Sequence, residues 1–550
     1  MTEVTDSTPN AIFRTPYILS NRKQPAEIKG TRPTETEYGV LDPKTFDAVE
    51  VDALFEGMNH AETQIGQAVL YRSLAQPTHH VEQLHKKQEA LRELAMNPPL
   101  LAACEQFIKK MADGEETLYH LLYGEFSGGF TTDHPKNRVG KLEFGGYGYR
   151  QFIDGTEFAV DLVEEAGELP PVQSAYLQEL LQAIRDFGGS KTYALMHGPF
   201  YVIDGKFKTK DEKSPYLPIP RFRPSMFKWL PSLIFALIVS GLLYFFESML
   251  VELGANYIGY GILILTVPIF PIIVQAVSAS DRDSVIYPLQ KLFRQSSELA
   301  KAMEALGMLD ELLSLHRYAK ASHHEMVLPE IMTAGQHTLT AIQAKNPLLL
   351  NTNTHYVAND VKLDAANRLL IITGPNSGGK TAYCKMIVQL QILGQAGSYL
   401  SASMARIVPA EHIFYQIPDA GKLEEGMGRF AHELKQTREI FFNSTSLSLV
   451  ILDELAEGTT FEEKMTLSEY VLKGFHQLGA STLLVTHNHE LCERLLSEGI
   501  GSYLQVEFLQ GEPTHRLIPG ISRVSHADRV ASAIGFSKAD VEKHLESLKS

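Results

Sequence analysis

Lys380 and Thr381 end a loop of small residues whose pattern suits the phosphate chain of a nucleotide. The loop reads G-x-x-x-x-G-K-T, and its other positions of interest are Gly374, Pro375, Asn376, Ser377, Gly378 and Gly379. Glycines let several main-chain N–H groups point at an anion. A lysine at this place reaches the β- and γ-phosphates, and the threonine hydroxyl ligates magnesium. The loop therefore predicts binding of ATP with Mg²⁺.

Two adjacent carboxylates, Asp453 and Glu454, follow an apolar run at residues 447–452. In a phosphate-loop fold we expect such a strand to lie beside the strand that leads into the loop, which would place Asp453 at the magnesium ion. Glu454 would then face the γ-phosphate and polarise the attacking water. An Asp-Glu pair after an apolar strand is common by itself, so the prediction depends on its combination with the loop.

His487 ends a third apolar run, residues 481–486. An imidazole at this strand end is expected to contact the γ-phosphate and to report its loss. Lys380, Glu454 and His487 form the predicted catalytic set, and a purely structural histidine is the alternative at the third position.

The elements that must position these residues can be read from the same stretch. Residues 369–372 form an apolar run short enough for a buried strand, and residues 382–388 continue in a helical pattern. Strand, loop and helix in this order are the context that a phosphate-binding loop requires.

Residues 346–536 resemble the ATPase domain of the MutS family, in the ABC-type branch of the P-loop ATPases. The resemblance rests on YVAND at 356–360, TGPNSGGKTAY at 373–383, QAGSY at 395–399, GMGRF at 426–430 with Glu433, LVILDELAEGTT at 449–460, VTHNHEL at 485–491 and SHADRVA at 525–531. Weaker similarity covers residues 42–77 and 306–331, which resemble parts of the helical core of that family.

The resemblance implies roles that the residues alone do not. Tyr356 would stack on adenine, and the loop at 426–430 would complete the site of a second subunit, since such ATPases work as dimers. Two departures stand out, because Gly428 replaces a family serine and Glu462-Glu463 replace the usual Asp-Gly. No mismatch-reading domain with its Phe-x-Glu is visible before the core, and no nuclease-like extension follows Ser550.

The composition narrows the class of protein. The chain has 550 residues, a net charge of −15 and a pI near 5.8, so no overall basic field indicates nucleic-acid binding. DNA remains a possible partner only through a local basic groove. Three widely separated cysteines, Cys104, Cys384 and Cys492, fit a reducing cytosol better than a disulfide framework.

Two uncharged runs, residues 229–246 and 253–280, predict a transmembrane helical hairpin. Each is near the roughly 20 residues that cross a bilayer, and basic residues flank the pair while Glu247 and Glu252 lie between the runs. The positive-inside rule then predicts a bacterial-type inner membrane protein with two spans and with both termini and the ATPase domain in the cytoplasm. The alternative is a buried helical pair in a large core.

Together these patterns predict a multidomain fold in which an α-helical core and lever domain is interrupted by a transmembrane hairpin and followed by an α/β P-loop ATPase domain. The expected parts are a flexible tail at 1–30, a mainly helical MutS core-like domain at 31–220 with an irregular Gly/Tyr-rich part, the hairpin at 229–280, return lever helices at 281–345 and the ATPase domain at 346–550.

The leading functional hypothesis is a membrane-anchored MutS-like ATPase, an ATP hydrolase that closes as a homodimer and transmits the motion to its helical levers and to membrane lipid or a membrane protein partner. One alternative is a membrane-tethered DNA repair or recombination ATPase. Another is the energising subunit of a transporter.

Overall fold

The structure is a computed structural model, and it describes residues 32–36, 38–124, 126, 148–203, 205–212, 229–252, 269–350, 356–375, 378–417, 429–455, 460–510, 512–522 and 534–547. The predicted flexible tail at 1–30 lies outside these residues, as does much of the Gly/Tyr-rich part. The predicted second-subunit loop at 426–430 is described only from Arg429.

The helices of the described residues are α1 Pro43–Ala48, α2 Val51–Met58, α3 Gln64–Ala75, α4 Val81–Met96, α5 Pro98–Tyr123, α6 Tyr149–Glu168, α7 Ala175–Gly188, α8 Lys191–His197, α9 Trp229–Glu252, α10 Ile269–Asp281, a π-helical turn Arg282–Ile286, α11 Tyr287–Arg294, α12 Ser297–Ala321, α13 Lys380–Gln395, α14 Arg429–Asn443, α15 Phe461–Leu478, α16 His489–Ser497 and α17 Lys538–Ser547.

The strands are β1 Tyr201–Ile203, β2 Lys206–Lys208, β3 Glu330–Ile331, β4 Leu339–Ala344, β5 Asn359–Leu363, β6 Leu369–Thr373, β7 Met404–Ile407, β8 His412–Gln416, β9 Ser448–Asp453, β10 Ser481–Thr486, β11 Ser502–Leu509 and β12 Glu512–Pro519. They form a two-stranded hairpin, a four-stranded sheet in the order β3-β7-β4-β5, and a six-stranded sheet in the order β12-β11-β6-β10-β9-β8.

The chain divides into two compact units. One contains Ala61–Val69 and Met96–Glu311, and the other contains Pro25–His60, Leu70–Ala95 and Leu312–Ser550. In its described residues the first is helical apart from the β1-β2 hairpin, and the second contains the two larger sheets. Both units are discontinuous in sequence, and the boundaries fall inside α3 and α12.

The transmembrane hairpin predicted at 229–280 is wrong. Glu247 and Glu252, which the sequence assigned to a connecting loop, lie inside the 24-residue helix α9. Of the second run, residues 253–268 lie outside the described residues, and the remainder falls in α10, Ile269–Asp281. Across the described ranges, no helix combines the length and the apolar character needed to cross a bilayer.

The predicted fold class and localisation are corrected accordingly. The described residues form a mixed α/β protein with helices and three sheets, and the assignment to a bacterial-type inner membrane loses its basis with the hairpin. The alternative of a buried helical pair does not fit either, since Leu237, Tyr244 and Phe245 of α9 are exposed.

The centre of the six-stranded sheet is built from short apolar strands. Every residue of β6, β9 and β10 is buried, which is typical of parallel strands covered on both faces. All three strands were predicted from their apolar runs, and their existence is confirmed. Helices α15 and α16 pack on this core through Leu472, Phe475 and Leu495.

One expectation about the sheet is wrong. The carboxylate strand β9 does not lie beside the loop strand β6, because β10 lies between them and pairs in parallel with both. The strand that ends at His487 is therefore central. Thr486 lies opposite Thr373, and Val485 lies opposite Asp453.

Candidate nucleotide site

The carboxyl ends of β6, β10 and β9 meet at one edge of the six-stranded sheet. After β6 the chain turns through Gly374, with φ +128°, and reaches α13 through Gly379, with φ +86°. Side chains other than glycine rarely adopt these angles. A Cβ atom at Gly378 would lie 2.5 Å from Val506 of β11, so the loop passes too close to its neighbour for a larger residue. Asn376 and Ser377 lie outside the described residues.

Lys380 is held inside the loop. Its side chain is 1% exposed, and Nζ donates a hydrogen bond to the Gly374 carbonyl oxygen at 2.5 Å. Burial lowers the pKa of Lys380 to about 8, while the charges of Asp453 and Glu454 act in the opposite direction. The cation is thus held by the loop and influenced by the carboxyl groups of Asp453, at the end of β9, and of Glu454.

Thr381 and Asp453 come together as predicted for two magnesium ligands. The Thr381 hydroxyl donates to Asp453 Oδ2 at 3.3 Å. Burial raises the pKa of the Asp453 carboxyl, and the hydroxyl groups of Thr381 and Tyr415 oppose that rise. A hydroxyl that donates its proton to a carboxylate keeps its lone pairs available for a cation, and oxygen ligands of these two kinds suit Mg²⁺.

Glu454 has an uncommon backbone. Its φ is +60°, and its N–H donates to the Val485 carbonyl oxygen at 3.0 Å. The side chain contacts His487, with 3.1 Å between Oε1 and Nε2. A non-glycine residue held in the left-handed region costs about 1–3 kcal/mol, and such residues cluster at functional sites. The structure therefore brings two of the predicted catalytic residues into direct contact.

Tyr356 lies farther from the loop. Its hydroxyl contacts Met386 Sδ at 3.8 Å, in the second turn of α13, and burial raises the pKa of its phenol. Tyr356 therefore contacts the helix that follows the loop.

The sequence interpretation missed His515, in the β11-β12 hairpin. A Cβ atom placed on Gly379 would lie 3.4 Å from His515 Nδ1, so the imidazole lies over the start of α13. Asn359 holds this part of β12, because its Nδ2 donates to the His515 carbonyl oxygen at 3.0 Å and its Oδ1 accepts from the Leu517 N–H at 2.7 Å. In the sequence, the Gln510-Gly511 pair between two alternating runs was the available signal for this hairpin.

Tyr415 was also missed. It is 1% exposed, and its hydroxyl lies 3.5 Å from Asp453 Oδ2. Nothing local marks this tyrosine, since it is one aromatic residue in an apolar strand.

Of the segments in which the chain departs from the family pattern, Gly428 lies outside the described residues, and Glu462-Glu463 occupy the first turn of α15.

Residues 370–547 match the family model of MutS domain V. Over 273 residues the chain is 31% identical to a DNA mismatch repair protein MutS of Chlorobium phaeobacteroides. The aligned region covers 47% of this chain and 31% of that protein. It is 33% identical over 227 residues to MutS of Desulforamulus reducens, covering 40% of the chain and 26% of the relative.

A human relative, DNA mismatch repair protein Msh3, is 34% identical over 241 residues, which amount to 42% of this chain and 21% of that protein. The similarity thus spans less than a third of the length of each of these curated relatives. The C-terminal part of the chain is thus similar to MutS domain V and to proteins named as DNA mismatch repair proteins.

Proposed function

We propose that the chain binds ATP with Mg²⁺ at the edge formed by β6, β9 and β10 and hydrolyses it to ADP and phosphate. The observation that supports this most directly is the convergence of Lys380, the Thr381-Asp453 pair and the Glu454-His487 pair, which come from three separate strand ends. Phosphoryl transfer needs mainly positioning and charge stabilisation, and this edge offers both.

The residues present fit the two ligands. A side chain at Gly374 or Gly378 would meet Val506, and one at Gly379 would approach His515, so the glycines let the loop main chain pass close to β11 and β12. Lys380 adds a buried positive charge. Thr381 and Asp453 would hold Mg²⁺. Bound there, the ion would supply charge neutralisation for the β- and γ-phosphate oxygens.

Glu454 is proposed as the residue that orients the attacking water and takes its proton. As the new P–O bond forms, the bond to the leaving ADP oxygen breaks, and the water proton passes to the Glu454 carboxylate. His487, paired with Glu454 at 3.1 Å, would hold that carboxylate and contact the γ-phosphate. Tyr356 and His515 flank the helix after the loop and are proposed to contact the base and sugar.

The proposal includes a homodimer that closes across the nucleotide. Its basis is the family resemblance of the 426–430 segment, from which Arg429 leads directly into α14. A second candidate function, DNA repair or recombination, is favoured by the relatives named as mismatch repair proteins. The coupling to a membrane segment or membrane partner is not retained, because the hairpin on which it rested is wrong.

The test is ATP binding and hydrolysis by the full chain and by Lys380→Ala. We expect Lys380→Ala to lose nucleotide binding and to lower hydrolysis by at least about a hundredfold. Lys362→Ala is the matched control, because this lysine lies on β5 and is exposed, 3.8 Å from Asp364. Retained binding in Lys380→Ala would contradict the assignment of the site.

The DNA alternative needs its own measurement. Hydrolysis is compared with and without duplex and branched DNA at low and moderate salt. Strong stimulation that falls steeply with salt would support the DNA-linked function, and rates that do not respond to DNA would argue against it.

A further inference from the structure

The Asp453 carboxylate receives two hydroxyl groups from two different elements. Thr381, at the start of α13, reaches Oδ2 at 3.3 Å, and Tyr415, on β8, reaches the same oxygen at 3.5 Å. Tyr415 is 1% exposed, and a buried phenol normally keeps a hydrogen-bond partner. Its hydroxyl can only donate to an ionised carboxylate, so Asp453 is the acceptor.

Strand β8 is itself held by residues 40–45. The Tyr415 N–H donates to Thr45 Oγ1 at 2.8 Å, and the Ile413 N–H donates to the Val40 carbonyl oxygen at 2.8 Å. Leu41 forms a parallel bridge with Ile413. Residues 38–58, here called the N-terminal clasp, thus bind along the free edge of the six-stranded sheet.

The N-terminal clasp also contacts the helix that carries Thr381. Gln389 Nε2, on α13, donates to the Val49 carbonyl oxygen at 3.0 Å, and Lys385 forms an ion pair with Glu50 at 3.2 Å. Glu50 has a φ of +59°, so the turn between α1 and α2 is set in a specific shape. One segment therefore touches both elements whose hydroxyl groups meet at Asp453.

We propose that Tyr415 is a positioning residue for the magnesium ligand Asp453, and that the N-terminal clasp sets the position of Tyr415. The inference rests on the proposed ATPase function of this site. Two hydroxyl donors from separate elements restrict the rotation of the Asp453 carboxylate, so less ordering is needed when the cation binds. Partners that hydrogen-bond to a metal ligand commonly tune metal affinity in this way.

The first test uses Tyr415→Phe, which removes only the hydroxyl oxygen. The readouts are the Mg²⁺ concentration for half-maximal hydrolysis and the affinity for a fluorescent ATP analogue, measured with Mg²⁺ and with EDTA. We expect the half-saturating Mg²⁺ concentration to rise about threefold to tenfold, while the affinity in EDTA stays within about twofold of wild type.

Tyr383→Phe is the matched control. Tyr383 is also a buried tyrosine of this unit, and its hydroxyl donates to the Asp360 carbonyl oxygen at 2.9 Å rather than to Asp453. It should leave the Mg²⁺ dependence unchanged. Equal Mg²⁺ dependence of Tyr415→Phe and Tyr383→Phe, or equal loss of affinity with and without Mg²⁺ in Tyr415→Phe, would overturn the proposal.

The role of the N-terminal clasp is tested by substitutions of Thr45. These variants also test the proposal if Tyr415→Phe does not fold. Thr45→Val removes the acceptor of the Tyr415 N–H, and Thr45→Ser restores it. We expect the half-saturating Mg²⁺ concentration to rise in Thr45→Val, by less than in Tyr415→Phe. In Thr45→Ser it should equal the wild-type value. Identical Mg²⁺ dependence in both variants contradicts a role of the N-terminal clasp. Absence of Mg²⁺-dependent ATP binding in the wild-type protein would instead refute the proposed function.

Discussion

Each compact unit contains a pair of neighbouring carboxyl groups. Glu115 and Asp310 are buried, as is Asp453, whereas Glu454 is partly exposed, and the two pairs are bonded differently. In the helical unit, Glu115 accepts from the N–H groups of Gln64 and Ile65 at 2.6 and 2.9 Å, and Asp310 accepts from the Thr63 N–H at 2.7 Å. These donors belong to the first residues of α3 and the residue before it, where helical N–H groups lack partners within the helix. Glu115 and Asp310 therefore cap α3 from distant parts of the chain.

At the edge of the six-stranded sheet the partners are of another kind. Asp453 accepts from hydroxyl groups, and Glu454 pairs with an imidazole beside a buried lysine. Hydroxyl, imidazole and ammonium groups can give up a hydrogen bond to a carboxylate and bond to a ligand instead. The main-chain N–H groups that Glu115 and Asp310 cap cannot do so without disrupting the first turn of α3. Burial of a carboxyl group thus does not by itself identify a reactive site. The kind of group that donates hydrogen bonds to the carboxyl group is the better indicator.

The largest expected effect is a difference in ATP hydrolysis between a substitution in one carboxyl pair and a substitution in the other. Glu454→Gln should keep ATP binding and lower hydrolysis by at least about a hundredfold, because an amide cannot accept the water proton. The nucleotide should then hold the dimer closed, which size-exclusion chromatography with ATP can detect. Glu115→Gln, compared per folded molecule, should leave hydrolysis near wild type. Normal turnover in Glu454→Gln would remove Glu454 from its proposed role.

The second prediction concerns pH and Glu115. Burial raises the pKa of this carboxyl to about 7, and the nearby Asp310 charge acts in the same direction. The folded state then binds the proton more tightly than the unfolded state, so its contribution to stability is complete below about pH 4.5 and is lost as pH rises towards about 7. The loss is at most about 3 kcal/mol.

Urea unfolding of wild type and Glu115→Gln between pH 5 and pH 8 measures this difference. The wild-type free energy of unfolding should fall with pH more steeply than that of Glu115→Gln, which lacks the titrating group. Parallel pH profiles would show that Glu115 keeps an ordinary pKa despite its burial.

The smallest effect tests how closely Asp310 approaches α3. A Cβ atom at Gly66 would lie 2.2 Å from Asp310 Oδ2 and 2.7 Å from Thr63 Oγ1, so Gly66→Ala should destabilise the protein by about 1–3 kcal/mol. Gly57→Ala is the control, because Gly57 lies on α2 with nothing within 4 Å of the added Cβ and should gain roughly 0.5–1 kcal/mol. Thermal unfolding of both variants gives the comparison, and a stable Gly66→Ala would show that Asp310 can move away.

Local patterns predicted the elements of the site well. Residues 369–372, 447–452 and 481–486 were recognised as strands because each is a short apolar run that ends in glycine or polar residues, and all three are strands. The meeting of Thr381 with Asp453 followed from the loop and carboxylate motifs. Their roles in catalysis remain predictions.

The order of strands was not predictable in the same way. Apolar content shows that β9 and β10 are buried, but it does not show which of them pairs with β6, since pairing is fixed by packing across the whole sheet. The hairpin at 229–280 failed for a related reason. Hydropathy reports how apolar a run is, whereas the helix limits, with Glu247 and Glu252 inside α9, depend on the rest of the fold.

Contacts between distant residues account for the remaining omissions. Tyr415 and His515 have no motif of their own, and each acquires its place through a partner far away in sequence, Thr45 in one case and Asn359 in the other.

The position of the N-terminal clasp has a consequence for biosynthesis. Thr45 and Tyr415 are 370 residues apart, so a ribosome that adds about 5–20 residues per second needs roughly 20–75 s to deliver the second after the first. During that time the nascent chain carries Phe46 of α1, buried in the finished protein, without the strand on which α1 packs. The N-terminal clasp thus reaches its place only after a long stretch of later sequence has been made, and until then it offers chaperones an apolar target.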